Sequence, residues 1–169
     1  MTAVHAAIGI AMVAVNLLAG AVGAWSWRSA GERSGEAIAG GEAPGRDRKA
    51  SGRGSSRAFW PLLRAGQALA VLAAADGLAL VALGRELPEL HLIYGLTPLV
   101  VSFLAEQLRL ASADSVLQAR GLEDSAAVGA LPEPAQRELV LAIVRRETGV
   151  MAASALVVAA LGLRAGGWL

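Results

Sequence analysis

The chain of 169 residues is 55% hydrophobic and 17% charged, whereas a soluble domain is typically about half apolar and about a quarter charged. Its net charge of +1 provides no basic field that would favour nucleic acid. The absence of cysteine excludes disulfides, thiolate metal sites and cysteine nucleophiles, and two histidines are too few for a histidine-rich metal site. The apolar residues are concentrated in stretches of about 20, the length that a bilayer requires.

The first apolar stretch, residues 3–27, contains no charged side chain and predicts a membrane-spanning helix. A cleaved signal peptide is the alternative, since small-residue triplets such as residues 19–21 occur there. The stretch lacks a basic n-region and its positive charge follows the apolar run, which favours a retained span. Residues 29–56 are rich in Gly, Ser, Arg and Glu and predict a disordered cytoplasmic loop.

The second and third spans are predicted at residues 59–83 and 91–110, joined by a short hairpin. Residues 111–147 predict a helical cytoplasmic connection, because Gly121 can stop one helix and Pro132 can start the next. The fourth span is predicted at residues 148–163.

The distribution of Lys and Arg predicts the orientation. Twelve of the fifteen fall in the two long connections and their flanks, whereas only Arg85 and Arg164 fall on the opposite side. The positive-inside rule then places the long connections in the cytoplasm and both termini outside. Trp25, Trp27 and Trp60 are expected at the inner interface and Trp168 at the outer one, as in an aromatic belt.

These elements predict an all-α fold, a four-transmembrane-helix bundle that forms a single integral membrane domain over residues 1–169. The bias toward Ala, Gly, Arg and Val is typical of a high-GC bacterial genome. We therefore expect a multi-pass protein of the bacterial cytoplasmic membrane, with the lipid bilayer as its surroundings and no nucleic-acid partner.

Each of the two histidines begins an apolar segment and is followed four residues later by glycine, as His5 with Gly9 and His91 with Gly95. Residues i and i+4 share a helix face, so each glycine leaves a flat gap beside an imidazole that a porphyrin plane can occupy. The first and third spans run in the same direction, which puts both histidines at the same depth. The pattern predicts that His5 and His91 are the metal ligands of a haem b; the alternative is two interfacial polar residues.

Two charged residues on the predicted outer side are candidates for supporting roles. Asp76 lies in the outer half of the second span, where it can accept the free N–H of a ligating imidazole; alternatively it is a protonated or cavity-facing structural residue. Arg85 lies in the outer hairpin, where it can pair with haem propionates or remain a solvated loop charge.

On the predicted inner side, charged residues of the third and fourth spans fall at similar depths. An ion-pair cluster between these two helices is expected there. Its members are Glu106, Arg109, Arg145, Arg146 and Glu147.

The segments 66–69, 77–81 and 86–92 together resemble the haem A synthase family. In that family a helix with a Leu-Gln start and an internal glycine leads through a Leu-Pro turn into a helix opening with His-Leu, here His91 and Leu92. The resemblance covers the first three spans and implies that His91 is an axial haem ligand, with His5 in the place of the histidine two spans earlier. Here Ala6 replaces an adjacent arginine of the family, and its acidic residue and cysteines are absent. The resemblance thus implies haem binding on a four-helix half-bundle.

The function expected from these patterns is electron transfer or haem handling linked to a respiratory system. A haem near one face cannot carry an electron across the bilayer alone, so a respiratory complex, a quinone or a second copy of the chain is the expected partner. Two alternatives remain open: a haem-free assembly factor or scaffold subunit, and a haem-modifying enzyme resembling haem A synthase.

Overall fold

The structure, a computed structural model, describes residues 2–38, 46–86, 88–122 and 125–169. The regular secondary structure of these residues is entirely helical, without a strand. Within the described ranges five helices follow one another: α1 (Ala3–Ile38), α2 (Arg46–Ala82), α3 (Glu89–Ala119), α4 (Ser125–Gly129) and α5 (Glu133–Ala165). The all-α class predicted from the sequence is confirmed.

Three of the helices have a segment that is long and apolar enough to cross a membrane. These segments are Ala3–Glu32 in α1, Arg57–Ala82 in α2 and Glu133–Ala165 in α5. Large apolar side chains such as Leu18, Leu72 and Phe103 are exposed on the outside of the bundle. A surface of this kind is suited to lipid rather than water, and it suggests a membrane protein.

The helices pack around α1, which lies against both α2 and α5, while α3 packs mainly on α5. The core where α1, α2 and α5 meet contains Ala19, Phe59, Met151 and Ala152, all nearly inaccessible. Small residues at such contacts let helix backbones approach closely, which is how helices associate when lipid removes the hydrophobic driving force.

Helices extend well beyond the predicted spans. The predicted disordered loop at residues 29–56 is helical at residues 29–38 and 46–56, while residues 39–45 lie outside the described residues. Extending an existing helix adds one hydrogen bond per residue without a new nucleation step, so a polar sequence can continue a helix that a span has already begun. In the connection at residues 111–147, Gly121 adopts a φ of 68° after α3, and Pro132 precedes α5.

The bundle has two different ends. At the histidine end, the start of α1, the turn between α2 and α3, and the last turn of α5 meet, as the contacts of His5 with Asp76 and of His91 with Ala165 show. Both chain termini are therefore at one end of the bundle. The opposite end, here called the basic end, carries the extensions of α1, α2, α3 and α5 and most of the arginines.

Candidate functional site

The two histidines, from α1 and α3, lie next to each other at the histidine end, with their rings tilted. The centres of the His5 and His91 rings are 5.8 Å apart, and the ring planes are inclined at 55°. The sequence separates these residues widely, so the packing of α3 on the other helices brings them together. His5 is 9% exposed, which places its ring inside the bundle.

Each ring is held by a hydrogen bond at the same nitrogen. His5 Nδ1 lies 2.9 Å from Asp76 Oδ2 on α2, and His91 Nδ1 lies 2.9 Å from the carbonyl oxygen of Ala165 on α5. A carbonyl oxygen only accepts, so the Nδ1 of His91 must carry the proton, and the Nε2 of the neutral ring keeps its lone pair. A ligating histidine commonly has its other nitrogen held in this way by a carboxylate or a backbone carbonyl.

The separation of the rings can be compared with what a shared metal ion requires. If both Nε2 atoms bound one metal ion on the line between the rings, metal–nitrogen bonds of about 2 Å and ring radii of about 1.2 Å would put the ring centres about 6.4 Å apart. The observed 5.8 Å is shorter by about 0.6 Å. The rings would therefore have to move slightly apart before both could bind one metal centre.

A largely apolar cavity of about 150 Å³ opens beside the rings. A Cβ atom added at Gly9 or at Gly95 would meet no atom within 4 Å, so both glycines border open space. At Gly77 an added Cβ would lie 3.3 Å from His5 Cε1, so the imidazole rests against bare backbone. The residues that line the cavity include His5, Gly9, Ala74, Gly77, His91, Gly95 and Trp168.

The two arginines on the histidine end differ in their relation to the cavity. Arg85 is exposed in the turn after α2 and does not line the cavity. Arg164 has its guanidinium carbon 5.7 Å from the centre of the Tyr94 ring, and Tyr94 lines the cavity. Arg164 therefore contacts a residue that lines the cavity, although Arg164 itself, like Arg85, is not a lining residue. The pairing of Arg85 with haem propionates stays a prediction.

A polar cluster contains the predicted Glu106 and Arg109, but its other members come from α2 and not from α5. Glu106 Oε1 accepts from Arg64 and from Gln67 Nε2 (3.0 Å), both on α2, and Glu106 Oε2 accepts from Arg109 Nε at 2.8 Å. The cluster therefore joins α3 to α2, and the predicted ion pairs of Glu106 or Arg109 with α5 do not form. Arg145 instead packs against Trp27.

Among the described residues, no group of three or more His, Cys, Asp or Glu side chains is placed to hold a metal ion. Haem iron is commonly held by histidine. The two imidazoles could be the protein ligands of such an iron, whose other ligands would come from the porphyrin. The donor chemistry of the two held imidazoles suits a haem, although the cavity of about 150 Å³ beside them is smaller than the whole group.

Comparison with protein-family models, with curated proteins and with solved structures found no match. From its fold and its site, the protein is described as an all-helical protein with candidate membrane spans and a cavity lined by two histidines. The resemblance to the haem A synthase family stays a prediction from sequence.

Proposed function

We propose that this protein is a four-span membrane protein that holds one b-type haem between His5 and His91, near the outer leaflet of a bacterial cytoplasmic membrane. Its role is electron transfer or haem handling linked to a respiratory system. The observation that carries the proposal is the pair of imidazoles 5.8 Å apart, each held at Nδ1 and so left with Nε2 as the ligating nitrogen.

The proposal treats α3 as the fourth span although its apolar run, residues 91–105, is short. Two observations support this. His91 is level with His5, which begins a longer span. Val100, Phe103 and Leu104 are exposed on the outer surface of α3, as lipid-facing side chains would be. The Lys and Arg distribution supports an orientation with the histidine end and both termini outside.

In this proposal the chain's own residues bind and orient the group. His5 and His91 bind the iron, Asp76 and the Ala165 carbonyl fix the rings, and Gly9 and Gly95 leave room for the flat macrocycle. The cavity is smaller than a haem, so the group would extend through the open side of the cleft toward lipid. Haem supplies one-electron redox chemistry when bound. A partner, such as a quinone, a respiratory subunit or a second copy of the chain, would exchange the electron.

The test is a reduced-minus-oxidised spectrum of the full chain, purified in detergent from haem-supplemented cells. We expect a low-spin b-type band that is lost in His5→Ala and His91→Ala. Thr97→Ala is the matched control on α3, because the Thr97 hydroxyl bonds only to the Ile93 carbonyl of its own helix. Absence of haem from well-folded protein would overturn the proposal, as would a band that persists in both histidine variants.

One observation favours a haem-free scaffold as a second candidate. The contact of His5 with Asp76 joins α1 to α2, and that of His91 with Ala165 joins α3 to α5, so both histidines also tie helices together. In that case the histidine variants would lose stability and the wild-type chain would bind no haem. A haem-modifying enzyme is distinguished by extraction of the pigment, since a modified porphyrin would accumulate only with the intact chain.

A further inference from the structure

A second built feature lies between α1 and α5 at the basic end. The guanidinium carbon of Arg145 lies 4.9 Å from the centre of the Trp27 ring. A Cβ atom at Gly31 would be 2.6 Å from Arg145 Nη2, so the guanidinium occupies space that only glycine leaves free. The side chain is thereby held in one place between the two helices.

Trp27 is itself fixed against α5. A Cβ atom at Gly149 would lie 2.9 Å from Trp27 Nε1, so the indole lies across the bare backbone of α5, one turn beyond Arg145. The Trp27 residue is nevertheless 41% exposed, so the pair reaches the outer surface of the bundle. A cation stacked on an indole face is stabilised by the quadrupole of the ring.

The lengths of α5 and α1 give the distance of Arg145 and Trp27 from the histidine end. Arg145 precedes Ala165 by 20 residues and Trp27 follows His5 by 22 residues, which correspond to about 30 Å and about 33 Å of helix. The hydrocarbon core of a bilayer is about 30 Å thick. With the histidine end at one interface, Arg145 and Trp27 lie at the opposite interface, level with the lipid headgroups.

Arg145 is partly buried and lacks the charge partner that several other arginines have. Arg64 and Arg109 pair with Glu106, and Arg120 pairs with Glu138. Among the described side chains, no carboxylate lies within ion-pair distance of Arg145, and its Nε is buried without an acceptor. A partly buried cation is costly unless an anion compensates it. The geometry therefore favours an anion supplied from outside the bundle.

We propose that Arg145 and Trp27 form a binding site for the phosphate group of an anionic membrane lipid in the leaflet at the basic end. The terminal nitrogens of the guanidinium bind two phosphate oxygens, a geometry that arginine offers and lysine does not. Basic pockets between membrane helices on the cytoplasmic side commonly bind anionic headgroups. This site is independent of haem.

The experiment is native mass spectrometry of the full chain in detergent, titrated with equal amounts of phosphatidylglycerol and phosphatidylcholine. Arg145→Gln is compared with Arg146→Gln, which removes the same charge from the adjacent, exposed position. We expect Arg145→Gln to lower the affinity for phosphatidylglycerol about fivefold or more, and Arg146→Gln to lower it less than twofold. Arg145→Lys keeps the charge and should fall between the two.

Circular dichroism and elution volume first establish that each variant is folded. Equal effects of Arg145→Gln and Arg146→Gln would overturn the site, because they would show only general charge attraction. A wild-type chain without preference for phosphatidylglycerol would also overturn it. Inorganic phosphate is the third probe: if it displaces the lipid at concentrations equal to that of the lipid, the site is one for free phosphate and the assignment to a lipid is wrong.

Discussion

Gly23 marks the tightest meeting of three helices, and its replacement by alanine tests that packing directly. A Cβ atom there would lie 2.5 Å from Phe59 Cε2 on α2 and 2.7 Å from the Cβ of Ala152 on α5. Phe59 and Ala152 are 0% and 3% exposed, so neither has free space into which it can move. The added methyl group must separate α1 from both neighbours.

The expected cost follows from two opposing effects. Overpacking of a well-packed core costs about 1–3 kcal/mol, whereas replacing a helical glycine by alanine gains up to about 1 kcal/mol of helix propensity. We therefore expect Gly23→Ala to lower the free energy of unfolding by up to about 2 kcal/mol, and by about 1–3 kcal/mol relative to Gly9→Ala, which has the same propensity gain. Gly9→Ala is the matched control, because a Cβ atom at Gly9 meets nothing within 4 Å and only the propensity gain remains.

The assay is unfolding of the full chain in mixed micelles by increasing SDS, followed by circular dichroism. The difference in stability between the two variants tests the close packing at Gly23, because both variants make the same chemical change in α1. If Gly23→Ala is as stable as Gly9→Ala, the close contact of α1 with Phe59 and Ala152 does not exist in the folded protein. A destabilised Gly9→Ala would contradict the open space beside His5.

Two further predictions concern charged groups. Glu106→Gln removes the anion that Arg64 and Arg109 share and should lower the free energy of unfolding by about 1–3 kcal/mol in the same SDS assay. The control Glu133→Gln breaks an ion pair whose two residues are both exposed and should lower it by under about 0.5 kcal/mol. Equal losses would refute a role for the cluster in joining α2 to α3. Arg164→Gln should weaken haem binding up to about fivefold but leave binding of haem dimethyl ester unchanged, as measured by spectroscopic titration. Arg85→Gln should leave the binding of both haem and its dimethyl ester unchanged. If Arg85→Gln weakened haem binding and Arg164→Gln did not, the result would support the role predicted for Arg85.

Hydropathy was sufficient to predict the helical class, because long apolar runs without charges are compatible with few structures other than helices in lipid. It also predicted the apolar segments of α1, α2 and α5 that are long enough to cross a membrane. It could not predict how far the helices continue at residues 29–38 and 46–56, where composition alone favours disorder. Helix extension depends on the adjacent span, which precedes residues 29–38 and follows residues 46–56 and which a local composition window does not include.

The spacing of histidine and glycine singled out His5 and His91, and the distribution of Lys and Arg indicated that they share one side of the membrane. Whether they meet is a question of helix packing, since a span can rotate about its axis without any change in its sequence pattern. The same packing places Arg164 against Tyr94, a residue that lines the cavity.

Local sequence thus determined which residues are apolar, which are rare and which share a helix face, because these properties depend on composition and on the 3.6-residue period of a helix. The tertiary structure alone decided the partners: Asp76 for His5, the Ala165 carbonyl for His91, and α2 rather than α5 for Glu106. These contacts join residues separated by 39 to 74 positions along the chain. Their formation depends on the rotation and order of the packed helices, which small residues such as Gly23 set through close approach.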